Sequence, residues 1–182
     1  MSIVDKVVAA VTPEPSEKER AEARSKARAA AGAGDGWLAM VLDHHLQIES
    51  AFAAVKDASN AQSQREEQKR LALLLAGHSL AEETVLYPAM ALTDQKAHAT
   101  SAYTQQSAAK VNLAALDGLQ CLSKDYMDKL EHLRAAVSHH VYEEESTWFP
   151  KLLAAADSKN VQLTTRYREE FERYMGAEAH SM

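Results

Sequence analysis

Cysteine is nearly absent: Cys121 is the only one in 182 residues. No internal disulfide framework is possible, and the expected setting is a reducing one, the cytoplasm. Glycines number six and prolines four. That scarcity, beside abundant alanine and leucine, excludes a turn-rich β architecture and sets the fold class as all-α. No block of one charge sign stands out. The formal charge is −6 with a pI near 5.7, and the densest basic stretch, Lys18–Arg28, is interleaved with glutamates, so no nucleic-acid footprint is expected. Apolar runs such as Leu71–Ala76 fall far short of the ~20 residues that span a bilayer, so no membrane partner is expected. The start "MSIVDKVVAAVTPEPSEKER" meets Asp5 early and has no basic leader, which makes a poor export signal. Cys121 has no organised base nearby in sequence and no glycine-rich phosphate loop occurs, so nucleophilic and nucleotide chemistry are not expected.

What is present is helical periodicity. The length suits one core with appendages: an N-terminal helical extension over 1–36, a bundle over 37–155 and a C-terminal helix and tail over 156–182. Residues 3–11 read as a short amphipathic turn of helix stopped by "TPEP", after which Ser16 and Glu19 form a capping box for "SEKERAEARSKARAAA". Its mixed charge reads first as a solvated helix on the outside and second as a docking arm for a protein partner. "GAGDG" at 32–36 breaks the chain. Four long segments follow, each with an apolar seam in steps of three and four. The seams are Leu38, Val41, His45, Ile48, Phe52, Val55; then Leu71, Leu75, His78, Glu82, Val85, Ala89; then Ala99, Ala102, Gln106, Ala109, Leu113, Leu116; then Leu130, Leu133, Val137, His140, Glu144, Thr147. The short links predict an up-down-up-down four-helix bundle, with a further short helix near Leu163–Met175 packing across one end.

Every seam carries a polar residue near its middle, and two of them repeat. "HSLAEETVLYP" at 78–88 aligns without a gap on "HVYEEESTWFP" at 140–150, which pairs His78 with His140, Glu82 with Glu144, Tyr87 with Phe149 and Pro88 with Pro150. Residues four apart on an α-helix share a face, so each HxxxE pair points into the bundle. One such pair alone is usually an exposed helix pair; two on facing seams need compensating charge, which a metal supplies. Imidazole nitrogens with carboxylate oxygens suit iron, manganese or zinc, and a carboxylate can bridge two ions. His45 lies on the first seam and is the preferred further ligand, with His44 the alternative or a group hydrogen-bonding behind the ligands. The matching third-helix position holds Gln106, able to offer a carbonyl oxygen, with Gln105 and Tyr103 nearby. Glu83, Glu145 and Tyr142 read as supports or solvent-facing flank residues, His98 and His132 as packing or surface histidines, and Pro88 and Pro150 as points where a helix kinks or ends.

With "LDHHLQI", "HSLAEETVLYP" and "HHVYEEESTWFP" in place, the chain resembles the hemerythrin-like, HHE cation-binding family over about residues 37–155. The resemblance implies a four-helix bundle holding two non-haem irons, with ligands at His45 (or His44), His78, Glu82, His140 and Glu144. Family members typically place a further histidine on the third helix, where this chain reads "YTQQSAAKVNLAAL". Three functions are therefore expected in competition: binding or sensing of a small diatomic molecule or peroxide, or handling of iron; consumption of peroxide by a di-metal oxidoreductase; and a helical stress-response or interaction protein with a vestigial metal.

Overall fold

The computed structural model describes residues 14–179, and every regular element among them is helical. The turn of helix expected at 3–11 lies outside those residues. Helix α1 (Glu17–Ala31) begins as its sequence dictates: Ser16 Oγ accepts from the Glu19 backbone N–H at 3.3 Å, and the Glu19 carboxylate accepts from Ser16 N–H at 2.8 Å. It stops at Gly32, whose φ of 72° glycine adopts without a Cβ penalty. Ser16→Ala removes one half of this box. The expected cost is about 1 kcal/mol, seen in a thermal melt as a midpoint about 2–4 °C lower.

The long segments follow as α2 (Trp37–Asp57), α3 (Ala61–Ala81), α5 (Lys96–Ala115) and α6 (Lys124–Glu143), with the five-residue α4 (Tyr87–Ala91) between α3 and α5. Asn60 and Ser123 cap α3 and α6 by accepting from the backbones of Ser63 and Tyr126. Every residue of the four predicted seams is buried or half-buried. Apolar seam positions gather into two clusters: one around Trp37, Leu38, Leu42, Leu86, Phe149 and Leu152, the other around Ile48, Phe52, Leu71, Leu130 and Leu133. The polar seam residues belong to neither cluster. No helix among the described residues is long and apolar enough to cross a membrane.

Two features depart from expectation. Of the two readings of Pro88 and Pro150, kinking or ending a helix, ending is the one the structure does not bear out. Each is preceded by one wide π turn, Glu82–Leu86 and Glu144–Trp148, after which α-helix resumes as α4 and as α7 (Phe149–Ala156). Proline lacks an N–H and its ring strikes the carbonyl four residues back, so one wider turn absorbs the break and the helix goes on. The C-terminal helix α8 (Asn160–Ala179) is also longer than expected, and it does not cap an end. Trp37 Nε1 donates to Asn160 Oδ1 at 2.9 Å, and one stage further on His44 stacks on Phe171 with ring centres 3.9 Å apart. Helix α8 therefore runs alongside α2 in the same direction and covers α3 near Gly77.

Candidate metal centre

Helices α2 and α3 and the two π turns send His45, His78, Glu82 and Glu144 to one point. One donor atom from each lies within 4.8 Å of all the others, and all four residues are buried. His78 Nε2 stands 3.3 Å from Glu82 Oε2, and His140 Nε2 stands 3.2 Å from Glu144 Oε1, so both HxxxE pairs face inward together. His45 Nε2 completes the layer at 3.3 Å from Glu144 Oε2 and 4.0 Å from Glu82 Oε1. His44, the alternative to His45, is turned away: its Nδ1 meets Tyr167 Oη at 2.9 Å, outside the four.

Each imidazole is pinned from behind. His45 Nδ1 lies 2.9 Å from Glu145 Oε1, His78 Nδ1 3.2 Å from Tyr167 Oη, and His140 Nδ1 2.7 Å from Gln105 Oε1. Carboxylate and amide oxygens only accept here, so His45 and His140 donate through Nδ1 and aim Nε2 at the cluster. Glu145 thus takes the supporting role that its sequence position suggested. Glu83 does not, since it pairs at 2.6 Å with the half-exposed Lys110. Gln105, placed by the sequence beside Gln106, holds the His140 ring from behind, and its Nε2 donates to Glu143 Oε2 at 2.6 Å. His98 stacks on Trp148, and His132 is exposed.

Sequence reasoning missed Tyr87. In a regular α-helix a residue five positions on lies about 140° around the axis. The π turn closes a Tyr87 N–H to Glu82 carbonyl bond and brings Tyr87 above Glu82. Its hydroxyl then sits 2.8 Å from Glu144 Oε1 and 3.1 Å from both Glu82 Oε2 and His140 Nε2. The repeat aligns it with Phe149, which stays in the apolar core, so the extra hydroxyl was the available signal. Gln106 is buried beside it and presents its amide nitrogen, not its oxygen, to the cluster, donating to Glu82 Oε2 at 2.6 Å. The physical reason is that carboxylates are acceptors and draw the donor end of the amide.

Burial raises the Glu82 carboxyl far above its usual range and Glu144 adds to the rise. Burial would also lift Glu144, but the His140 and His45 imidazoles outweigh it and hold that group ionised. Burial opposes charge on His45 too, yet Glu144 and Glu145 reverse it and keep its pKa at about 10. His78 is pushed down by burial and by His45 and stays neutral. His45 Nε2, Glu82 Oε1, Glu144 Oε2 and Gln106 Oε1 are nonetheless buried without a hydrogen-bond partner. Such atoms cost about 1–3 kcal/mol each when nothing meets them. Four orphaned polar atoms, three of them on one inward-facing set of nitrogen and carboxylate donors, fit a cation that takes the place of the His45 proton.

The model of the hemerythrin HHE cation-binding domain matches residues 37–152. The chain belongs to this family. No curated protein and no solved structure matches it significantly. The matched segment contains the buried His/Glu cluster, whereas Arg24 of α1, bonded to Glu145, and Tyr167 of α8, bonded to His78, lie outside it.

Proposed function

We propose that this chain is a non-haem di-iron protein of the hemerythrin-like type that binds or senses dioxygen, nitric oxide or peroxide, or handles iron, in the cytoplasm. The observation that carries this reading is the set of orphaned, fully buried donor atoms of His45, Glu82 and Glu144 beside His78. Two ions suit the arrangement better than one, because each carboxylate splits its oxygens. Glu144 gives Oε2 to His45 and Oε1 to His140, while Glu82 gives Oε2 to His78. His45, His78, Glu82 and Glu144 would hold one ion, and His140, Glu144 and the Tyr87 oxygen the other, with Gln106 Oε1 available if its amide rotates. Manganese or zinc would satisfy the same donors. Iron, when bound, supplies reversible one-electron chemistry and an affinity for small oxygen- and nitrogen-containing molecules.

The protein's own part is positional. Glu145, Gln105 and Tyr167 hold the imidazoles with Nε2 inward, and the two apolar clusters on either side of the layer keep bulk water away. A cavity of about 320 Å³, lined by Arg20, Arg24, His45, Glu49 and Phe52, is large enough for a diatomic molecule or peroxide. Residues 37–155 make the bundle in this reading, flanked by the segments 1–36 and 156–182. An up-down-up-down order agrees with the pairs Val55 with Gln64 and Asn112 with Lys129, each joining the end of one long helix to the start of the next, and with Gln68–Asp117, which joins the start of α3 to the end of α5.

Anaerobic loading of purified metal-free protein with ferrous salt should give about two irons per chain, and visible absorption on exposure to air. Protein that retains no iron after desalting contradicts the proposal. A peroxide-consuming oxidoreductase is the second reading, favoured by Gln106 standing at the third-helix position where the family typically has histidine, with the Tyr87 phenol beside it. Tyr87→Phe distinguishes the roles of that phenol. If its oxygen joins the iron, a phenolate-to-iron charge-transfer band appears in oxidised wild type and is lost in the variant; identical spectra place Tyr87 outside the ligand set.

A further inference from the structure

We propose that α1 and α8, which lie outside the family's matched segment, complete the metal centre, with Arg24 and Tyr167 acting as positioning residues for His45 and His78. This rests on the metal-centre reading above and adds a requirement for both flanking helices.

On one side, Arg24 Nε donates to Glu145 Oε1 at 3.0 Å, the same oxygen that receives His45 Nδ1 at 2.9 Å. The guanidinium is itself fixed, since Nη1 and Nη2 donate to the two oxygens of Glu49 at 2.9 and 2.7 Å. Glu145 is 1% exposed, and burying its charge needs a permanent cation, which arginine provides at any accessible pH. The order is therefore Glu49, Arg24, Glu145, His45, with α1 supplying the link from the surface to the imidazole.

On the other side, Tyr167 is fully buried and its oxygen meets His78 Nδ1 at 3.2 Å and His44 Nδ1 at 2.9 Å. A phenol has one proton to give. With His78 turning the Nε2 lone pair to the cluster, its Nδ1–H donates to the Tyr167 oxygen, and Tyr167 O–H donates to His44 Nδ1. His44 is thereby the terminus of a chain that holds His78, which accounts for a buried histidine beside the cluster but not in it. Gly77 permits the approach: a Cβ there would stand 3.1 Å from Met175 Sδ and 3.2 Å from Tyr174 Cδ1. A side chain there would push Met175 and Tyr174 aside by a few tenths of an ångström, so glycine eases the approach of α8 to α3 at the position next to His78.

The test uses the full-length chain with Zn(II) as the probe. Affinity is measured by competition with a chromophoric chelator, and the imidazole Nδ1–H protons are followed by NMR in the zinc-loaded protein. Tyr167→Phe should weaken Zn(II) about 10- to 100-fold and expose the His78 Nδ1–H to exchange while that of His45 persists. Arg24→Gln should give the mirror result at His45. A general loosening would affect both protons in both variants, and that outcome overturns the proposal, as do affinities within twofold of wild type with both protons retained. Wild type that takes up no Zn(II) defeats the metal-centre reading and this proposal together; unaltered variants defeat the proposal alone. Circular dichroism of the metal-free variants checks that each helix is still formed.

Discussion

A chain carrying Glu82→Gln and Glu144→Gln will take up no ferrous iron at ratios that saturate wild type, and without metal it will still fold and melt cooperatively. Both halves follow from the same burial. The two carboxylates are fully buried, and each keeps one oxygen without a partner. Taking an ion out of water costs several kcal/mol even after the surroundings relax. Glutamine keeps the volume; at Glu144 it removes a buried charge and at Glu82 it replaces a carboxyl that burial already holds neutral, whereas alanine would leave cavities and confuse the result. The same change removes both anionic donors, leaving neutral imidazoles that cannot balance a divalent ion in this interior. Iron should raise the melting temperature of wild type, because a ligand bound only by the folded state adds about 4 kcal/mol at a thousandfold excess over Kd. The double variant should show no such rise. Iron uptake equal to wild type removes the carboxylates from the ligand set. Collapse of the metal-free variant would instead make them a structural pair.

Much of this arrangement was legible because a helical bundle repeats its interior every three or four residues. His45, His78, Glu82, Gln106, His140 and Glu144 interrupt otherwise apolar seams, and the structure buries all six. The choice of His45 over His44 followed from the same periodicity, and the cluster contains His45. Tyr87 was not legible, because its place depends on a π turn. That turn exchanges regular hydrogen bonds for a wider loop and forms where the surrounding packing compensates, a tertiary effect with no period of its own. Arg24 and Tyr167 escaped for a different reason. Arg24 is 121 residues from Glu145 and Tyr167 is 89 from His78. Neither separation leaves a trace in local spacing. Tyr167 does sit on an apolar stripe with Leu163 and Phe171, which shows that α8 packs but not what its hydroxyl meets.

The metal-free cluster already balances its charge, and it does so with protons. Glu82 is held protonated by burial and by Glu144, while His45 is held as imidazolium by Glu144 and Glu145 against burial. Arg24 offsets the remaining carboxylate. A divalent ion must displace those protons, since His45 can ligate only through the lone pair that its proton occupies. Binding of Zn(II) at pH 7 is therefore expected to release at least one proton per ion, and more as pH falls and Glu82 is more fully protonated. The sign for affinity is fixed: it rises about tenfold per pH unit for each proton displaced and flattens above His45's pKa of about 10. His78 adds nothing to this slope because it is already neutral. Stability of the metal-free fold runs the other way. The His45 contribution is complete below its unfolded pKa of about 6.5 and is lost as pH climbs toward about 10. Alkaline conditions thus weaken the empty fold while strengthening its hold on metal, so the melting temperatures of empty and loaded protein diverge as pH rises from 7 to 9. Calorimetric titrations in buffers of different ionisation heat count the protons directly, and His45→Gln should lower the count by about one. A count of zero, or an affinity flat between pH 6 and 9, would mean that the ion does not use the His45 lone pair.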